Sequence, residues 1–191
     1  LIDYQRYPVK AAEISTKARR SLGIGYIGLA HFLAKNKVKY GDAEAHKLVH
    51  ELTESFQYNL LKASNKLAKE KGKCEWFDRT KYAEGKLPID TYKKDVDEIA
   101  KPVYKENWDK LRKSIESFGL RHSTLSAQMP SESSSVVSNE TNGIEPPRDY
   151  ITIKKSKKGP LKQVVPSYQI LQNFYTLSVS YTHLRAHETV H

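Results

Sequence analysis

A long periodic pattern of apolar residues stands out in the first half of the chain. Between Asp42 and Lys71, apolar side chains recur at steps of three and four residues, which is the spacing of one helix face. Asp42 is a favoured helix N-cap residue, and Gly72 is a natural helix stop. The pattern therefore predicts one long amphipathic helix, whose apolar face consists of Ala45, Leu48, Val49, Leu52, Phe56, Leu60, Ala63 and Leu67.

Shorter patterns predict the other elements. Helical spacing or composition marks residues 11–21, 29–35, 90–100 and 169–177. Asn107 is placed to cap a further helix with four inward residues, Trp108, Leu111, Ile115 and Phe118. Alternation predicts a strand at residues 121–128 and a hairpin from residues 151–154 and 161–165, with a lysine-rich end around Lys158 and Gly159.

Three glycines, Gly23, Gly25 and Gly28, have the G-x-G-x-x-G spacing of dinucleotide-binding folds. That motif needs a buried strand before the first glycine, and here a basic, helix-like run precedes it. The acidic residues at the expected distance open a helix instead of ending a strand. Close helix packing is therefore the favoured explanation. An NAD-type oxidoreductase remains an alternative that a helix leading directly into Leu22 would exclude.

A serine-rich turn follows the strand predicted at residues 121–128. Its sequence is Met129-Pro130-Ser131-Glu132-Ser133-Ser134-Ser135, and a short helix is predicted after it, at residues 136–139. The first turn of a helix carries N–H groups without intrahelical partners, and its dipole favours an anion there. The pattern alone favours a plainer interpretation, in which Ser131 is only an N-cap.

The composition favours a single soluble domain, or part of one, of 191 residues with 38% hydrophobic and 28% charged residues. No apolar run has the length of a membrane helix. The net charge of +10 makes a basic nucleic-acid-binding module the main rival to an enzyme. However, the lysines are spread along the chain, and nucleic-acid binding would have to weaken steeply with salt.

Cys74 and the histidine pair His46 and His50 are the other candidates for chemistry. A single cysteine excludes an intrachain disulfide and favours a reducing, cytoplasmic location. Lys71 and Lys73 are expected to lower the Cys74 pKa, but without a partner cysteine we interpret the residue as structural. The histidines have metal-binding spacing without a third ligand, so a solvated helix face is favoured.

The two ends of the chain differ in character from the rest. The first residues carry neither Met nor a signal pattern and are expected to come from the middle of a longer protein. From about Val179 the sequence resembles a translated adaptor from a sequencing library. We therefore predict a native domain at residues 1–178 and a non-native tail at residues 179–191, in which His183 and His187 are a false metal signal.

Six short runs of residues, which occur in the same order as in a known family, resemble that family, the large (alpha) subunit of class Ia ribonucleotide reductase. They are residues 2–5, 19–25, 60–65, 87–95, 129–132 and 142–148. The resemblance implies an α/β fold in which this chain forms a helix-rich, C-terminal part of a ten-stranded α/β barrel. It also implies that the serine turn binds the diphosphate of the ribonucleotide substrate through Pro130, Ser131, Glu132, Ser133 and Ser134. The Glu132 carboxylate should then point away while its backbone amide serves the ligand.

The resemblance further implies the reaction and its partners. Such enzymes reduce ribonucleoside diphosphates by thiyl-radical chemistry, with a radical supplied by a metal-containing small (beta) subunit. They act as alpha homodimers with ATP or dNTP effectors and thioredoxin or glutaredoxin as reductant. No catalytic cysteine of the family matches this chain, and Cys74 is not one of them. We therefore expect a substrate subsite here, with no catalytic residue, no metal ligand and no bound cofactor.

Overall fold

A computed structural model describes residues 1–156 and 159–178 of the chain. The chain forms two compact units. The first unit combines residues 1–24 with residues 47–127, and the second combines residues 25–46 with the chain from residue 128 onward. Each unit contains its own cluster of buried apolar side chains. The predicted tail at residues 179–191 lies outside the described residues.

Helices are the main regular elements of the described residues. The α-helices are α1 (Lys10–Arg19), α2 (Leu29–Lys35), α3 (Ala43–Lys71), α4 (Pro88–Thr91), α5 (Trp108–Phe118), α6 (Glu132–Ser138) and α7 (Tyr168–Leu171). Single 3-10 turns lie at Phe77–Arg79, Lys94–Glu98 and Gln172–Phe174. The strands β1 (Ile151–Ser156) and β2 (Gly159–Val164) form the predicted antiparallel hairpin, with Ile151 opposite Val164. This helix-rich content agrees with part of an α/β fold.

The long helix α3 begins and ends where the pattern predicts. It starts directly after Asp42 and stops before Gly72, whose φ of +83° is a left-handed conformation that glycine tolerates. Its buried face differs from the predicted one, because Ala63 is exposed and the other large predicted residues are only half-buried. The buried positions are Ala45, Glu54, Tyr58, Leu61, Ser64, Asn65 and Ala68.

Polar groups on α3 are buried because they meet backbone partners. The Glu54 carboxylate accepts the N–H groups of Lys105 and Glu106 and the indole N–H of Trp108, all within 3.0 Å. The Asn65 amide donates to the carbonyl of Gly119 at 2.8 Å. These hydrogen bonds satisfy the buried polar atoms. A helix face containing Glu and Asn can therefore pack against the core, because the bonds compensate for the loss of water.

The core of the first unit forms between α3 and α5. The Asn107 side chain caps α5 by accepting the Lys110 N–H at 3.0 Å, as predicted. Trp108 and Ile115 are buried as predicted, whereas Phe118 is 51% exposed and lies under the Lys69 ammonium, 4.7 Å from its ring centre. Other buried members are Tyr58, Leu61, Cys74, Phe77, Leu87, Leu111, Leu120 and Leu125.

Two predicted helices are shorter than expected. Residues 90–100 do not form one helix, because Asp90 turns back to accept the Leu87 N–H at 2.7 Å and so helps to start α4 at Pro88. Residues 169–177 form only α7 and a 3-10 turn. The chain then becomes extended at Tyr175, whose buried hydroxyl donates to the Pro166 carbonyl at 2.7 Å.

The predicted strand at residues 121–128 is an extended segment with one bridge. Ile24 pairs with Ser126 in parallel, and the Leu22 N–H donates to the Thr124 carbonyl at 2.9 Å. Two neighbouring extended segments therefore run in parallel within the first unit, as strands of α/β folds do.

Candidate functional site

The serine-rich turn leads into α6, which begins at Glu132 immediately after Ser131. Ser131 occupies the N-cap position, but its side chain makes no capping bond. Its hydroxyl contacts the Met129 carbonyl at 3.3 Å, and its N–H donates to the Asn142 side-chain oxygen at 2.9 Å. The interpretation of Ser131 as a side-chain cap is therefore wrong.

The first turn of α6 presents unused donors. Among the described residues, the N–H groups of Glu132, Ser133 and Ser134 meet no acceptor. The Ser133 and Ser134 hydroxyls have no partner there either, and all three side chains are exposed. Ser135 differs, because it is fully buried and its hydroxyl donates to the Glu132 carbonyl at 2.9 Å. The open donors are therefore confined to residues 132–134, next to the exposed Pro130.

A strap of residues 139–143 joins the two ends of α6. At the C-terminal end, Asn139 is left-handed with φ of +52°, and the Glu140 N–H donates to the Ser135 carbonyl at 2.8 Å. At the N-terminal end, Asn142 accepts the Ser131 N–H. The strap therefore fixes the start of the helix as well as its end, and with it the direction of the free donors.

The strap is in turn attached to the start of α2. The His31 ring nitrogen Nδ1 is hydrogen-bonded to the Glu140 carboxylate at 2.7 Å. The Gly28 N–H donates to the Thr141 carbonyl at 2.9 Å, and the Leu29 N–H donates to the Gly143 carbonyl at 3.3 Å. His31 is only 6% exposed, and its Nε2 has no hydrogen-bond partner among the described residues.

The backbone conformation and the surroundings of Gly28 explain why the third position of the G-x-G-x-x-G motif is glycine. Its φ is +82°, and a Cβ atom there would lie 2.8 Å from the Glu140 carboxylate oxygen. The left-handed φ favours glycine here, and the close contact is with the Glu140 side chain instead of the predicted close packing of helices. The dinucleotide interpretation is wrong, because α1 ends at Arg19 just before Leu22 and no second strand follows α2 before α3.

The strap was missed at the sequence level. In the sequence, residues 142–148 are recognisable only as a run that resembles the reductase family, and His31 gives no signal in a short apolar helix. The one available hint was the pairing of Asn142 and Gly143 in a run that resembles the reductase family. The contacts themselves join positions more than 100 residues apart, for example His31 with Glu140.

The pKa of Cys74 and the surroundings of His50 differ from the predictions. Burial raises the pKa of the Cys74 thiol and outweighs the nearby positive charges, so the expected lowering by lysines is wrong. The structural interpretation of Cys74 agrees with its burial in the first core. His50 is half-buried beside the Tyr104 ring, with 5.6 Å between ring centres, so it does not lie on a solvated face. Within the described ranges, no group of three or more His, Cys, Asp or Glu could hold a metal ion.

Comparison with known sequences decides the family. The model described as "Ribonucleotide reductase, barrel domain" matches residues 1–187. The chain belongs to the ribonucleotide reductase family. Reductase relatives include the ribonucleoside-diphosphate reductase subunit alpha of Haemophilus influenzae, 59% identical over 177 residues and 93% of this chain. The ribonucleoside-diphosphate reductase 1 subunit alpha of Escherichia coli is 57% identical over 92% of the chain.

The similarity extends to a phage reductase. The subunit alpha of Enterobacteria phage T4 is 53% identical over 169 residues, or 88% of this chain. The chain spans 23% of the length of the Haemophilus and Escherichia subunits and 22% of the phage subunit. In the described part of this reductase chain, no helix has the length and hydrophobicity needed to cross a membrane.

Proposed function

We propose that this chain is a C-terminal part of the ten-stranded barrel of a reductase alpha subunit. In the complete protein, that subunit reduces ribonucleoside diphosphates to deoxyribonucleoside diphosphates. The observation that carries this proposal is the 59% identity to an alpha subunit of that name across 93% of the chain. The parallel pairing of Ile24 with Ser126 supports it, because a barrel of parallel strands requires such neighbours.

The substrate diphosphate is proposed to bind at the serine turn. Three free N–H groups and two free hydroxyls belong to the first turn of α6, and a phosphate oxygen is a suitable acceptor for each. Ser133 and Ser134 supply both kinds of donor. Ser131 contributes chiefly by framing the turn, because its N–H already serves Asn142. Pro130 sets the break before the helix.

Glu132 is proposed to act through its backbone. Its side chain is exposed and makes no hydrogen bond or ion pair among the described residues. A carboxylate beside a diphosphate would repel it, so the side chain must turn to solvent when substrate binds. The N–H group of the same residue then remains available to the ligand.

The redox chemistry is proposed to lie on other parts of the enzyme. Cys74 is buried with a raised pKa, which disfavours the reactive thiolate. The thiyl radical, the reducing cysteine pair and the effector sites for ATP or dNTP would belong to the rest of the alpha subunit. A beta subunit would carry the metal-radical cofactor, and thioredoxin or glutaredoxin would supply electrons in the cytoplasm. The contribution of this segment is to hold substrate.

A chimeric subunit tests the proposal. The Haemophilus alpha subunit is rebuilt so that its matched 177-residue segment is replaced by the corresponding residues of this chain. Mixed with the Haemophilus beta subunit, the chimeric subunit is expected to reduce CDP when effector and reductant are present. A folded chimeric subunit that binds CDP but does not reduce it, while the parent subunit does, would contradict the proposed function.

A further inference from the structure

A cavity of about 540 Å³ opens in the first unit of the chain. This volume lies within the range of small-molecule sites. Four of its lining residues are Arg or Lys and none is Asp or Glu. The polar lining side chains used below are Arg19, Arg79, Lys81, Ser21, Ser123 and Thr124. The cavity is therefore a concave, positively charged site that the proposed function does not use.

The two arginines are held at the cavity by one aromatic ring. The guanidinium carbons of Arg19 and Arg79 lie 5.1 Å and 4.4 Å from the centre of the Trp76 ring. Cation–π contacts of this kind orient a guanidinium group without consuming its N–H donors. Within the described residues, the two guanidinium groups have no hydrogen-bond or carboxylate partner. The same is true of the Lys81 ammonium. Three cations thus line the cavity without an ion-pair contact to a described carboxylate.

Three of the carboxylates close by in sequence are already paired with other cations. Asp78 binds the Lys73 ammonium at 2.8 Å, and Asp90 binds the Arg112 guanidinium at 2.7 Å. Glu84 binds Lys86, the fourth basic residue of the lining, at 2.6 Å. None of these three carboxylates forms an ion pair with Arg19, Arg79 or Lys81, so those charges are available to an external anion.

Hydroxyl groups complete the donor set. The Ser21 and Ser123 hydroxyl oxygens are 3.0 Å apart, so one of the two O–H groups donates to the other and one remains free. The Thr124 hydroxyl has no partner among the described residues. Thr80 is different, because its hydroxyl already donates to the Phe77 carbonyl at 2.7 Å. The cavity therefore offers guanidinium, ammonium and hydroxyl donors together.

We propose that this cavity binds the phosphate groups of a small phosphorylated molecule. Arginine forks match the paired oxygens of a phosphate, and a second arginine with a lysine suits a diphosphate better than a single carboxylate. The basic residues are confined to one open cavity, which argues for a small molecule, since a nucleic acid would need an extended basic stripe. The lining residues of the cavity belong to the first unit, whereas the serine turn belongs to the second.

Calorimetric titration of the chimeric subunit with inorganic pyrophosphate tests the site. Arg79→Gln, Arg19→Gln and Lys81→Gln each remove one donor group, and each is expected to raise the Kd for pyrophosphate about tenfold, as the loss of one charged hydrogen bond implies. Lys66→Gln is the matched control, because Lys66 is exposed on α3 outside the cavity. It removes the same charge and is expected to leave the Kd unchanged.

A second pair of variants separates this site from the substrate turn. Ser133→Ala combined with Ser134→Ala should leave pyrophosphate binding in the cavity intact. If those alanines abolish binding and the arginine variants do not, the cavity proposal is overturned. It is also overturned if neither set changes the titration.

Arg79→Lys is a further variant that distinguishes a loss of phosphate binding from misfolding. It keeps a cation over Trp76 but removes the fork, so a smaller loss of affinity than in Arg79→Gln is expected in a protein with unchanged melting temperature. Equal affinity in the wild type, Arg79→Lys and Arg79→Gln would count against the proposal.

Discussion

Ser133 and Ser134 are the residues through which the proposed substrate site can be tested most directly. Replacing both with alanine in the chimeric subunit removes two free hydroxyls while leaving their N–H groups in place. The KM for CDP is expected to rise about tenfold with a smaller change in kcat, because the lost bonds hold substrate in both the ground state and the transition state. Steady-state kinetics with the beta subunit measure this.

Ser138→Ala is the control for that pair, because the Ser138 hydroxyl lies on the same helix and donates only to the Ser134 carbonyl. It should leave the KM for CDP unchanged.

Glu132→Gln tests whether Glu132 acts through its backbone. If it altered substrate affinity more than the loss of the Ser133 and Ser134 hydroxyls, the assignment of Glu132 to a backbone role would be wrong.

Glu54 makes the stability of the first unit depend on pH. Burial raises the pKa of its carboxyl, but the N–H donors of Lys105, Glu106 and Trp108 outweigh burial and leave the pKa below its ordinary value of 4.5. A lowered folded pKa means that the stabilisation is present above the unfolded pKa and is lost as pH falls through the folded pKa.

Glu54→Gln is therefore expected to cost about 1–3 kcal/mol near neutral pH, because charged hydrogen bonds become neutral ones. The apparent melting temperature of the chimeric subunit should fall relative to wild type at pH 7. The two melting temperatures should begin to converge below pH 4.5, the ordinary carboxyl value, and should meet once pH falls below the lowered folded pKa, where wild-type Glu54 is also neutral. A difference independent of pH would show that packing, not charge, is responsible.

At the scale of elements, the junction of α2 and the strap depends on Gly28. Gly28→Ala forces a Cβ into a left-handed residue and into contact with the Glu140 carboxylate, at 2.8 Å. Gly72→Ala is a matched control, because Gly72 has nearly the same φ, +83°, with nothing within 4 Å of a Cβ there. Both should lose about 1 kcal/mol from backbone strain, and Gly28→Ala should lose more.

Hydrogen exchange in the chimeric subunit measures the difference locally. Amides of α6 and the strap are expected to exchange faster in Gly28→Ala than in wild type, whereas Gly72→Ala should affect only the end of α3. Equal protection of α6 in both variants would mean that the Glu140 contact does not support the turn.

The helix bounds were largely readable from the sequence, because caps and stops act locally. Asn107, Gly72 and the period of α3 defined elements to within a residue or so. The buried face of α3 was not readable, since Glu54 and Asn65 look solvent-facing until their partners at residues 105–108 and 114–119 are known. The same holds for the site, where the serines were visible but the strap was not.

At the scale of the whole molecule, the described chain leaves much apolar surface uncovered. Ile99, Val137, Ile153 and Ile170 are each at least 70% exposed. Among the described residues, the parallel segments near Ile24 form a single bridge, which leaves backbone groups without strand neighbours. Exposed apolar side chains of this kind mark surfaces that other parts of a protein cover.

The isolated 191-residue chain is therefore expected to unfold without a cooperative transition, in contrast to the same segment inside the chimeric subunit. Thermal melting followed by circular dichroism compares the two. A sharp, reversible transition of the isolated chain would contradict this expectation and would show that the two units are stable without further barrel strands.

The contact between His31 and Glu140 has a consequence for how the two positions evolve. Loss of Glu140 would leave the buried His31 imidazole without its hydrogen-bond partner, and loss of His31 would leave the part-buried Glu140 carboxylate without its own. The two positions should therefore change together as reductase sequences diverge, although they are 109 residues apart. A lineage that replaces the histidine by a residue without a hydrogen-bonding side chain is expected to replace the glutamate as well, so the strap and α2 evolve as one unit.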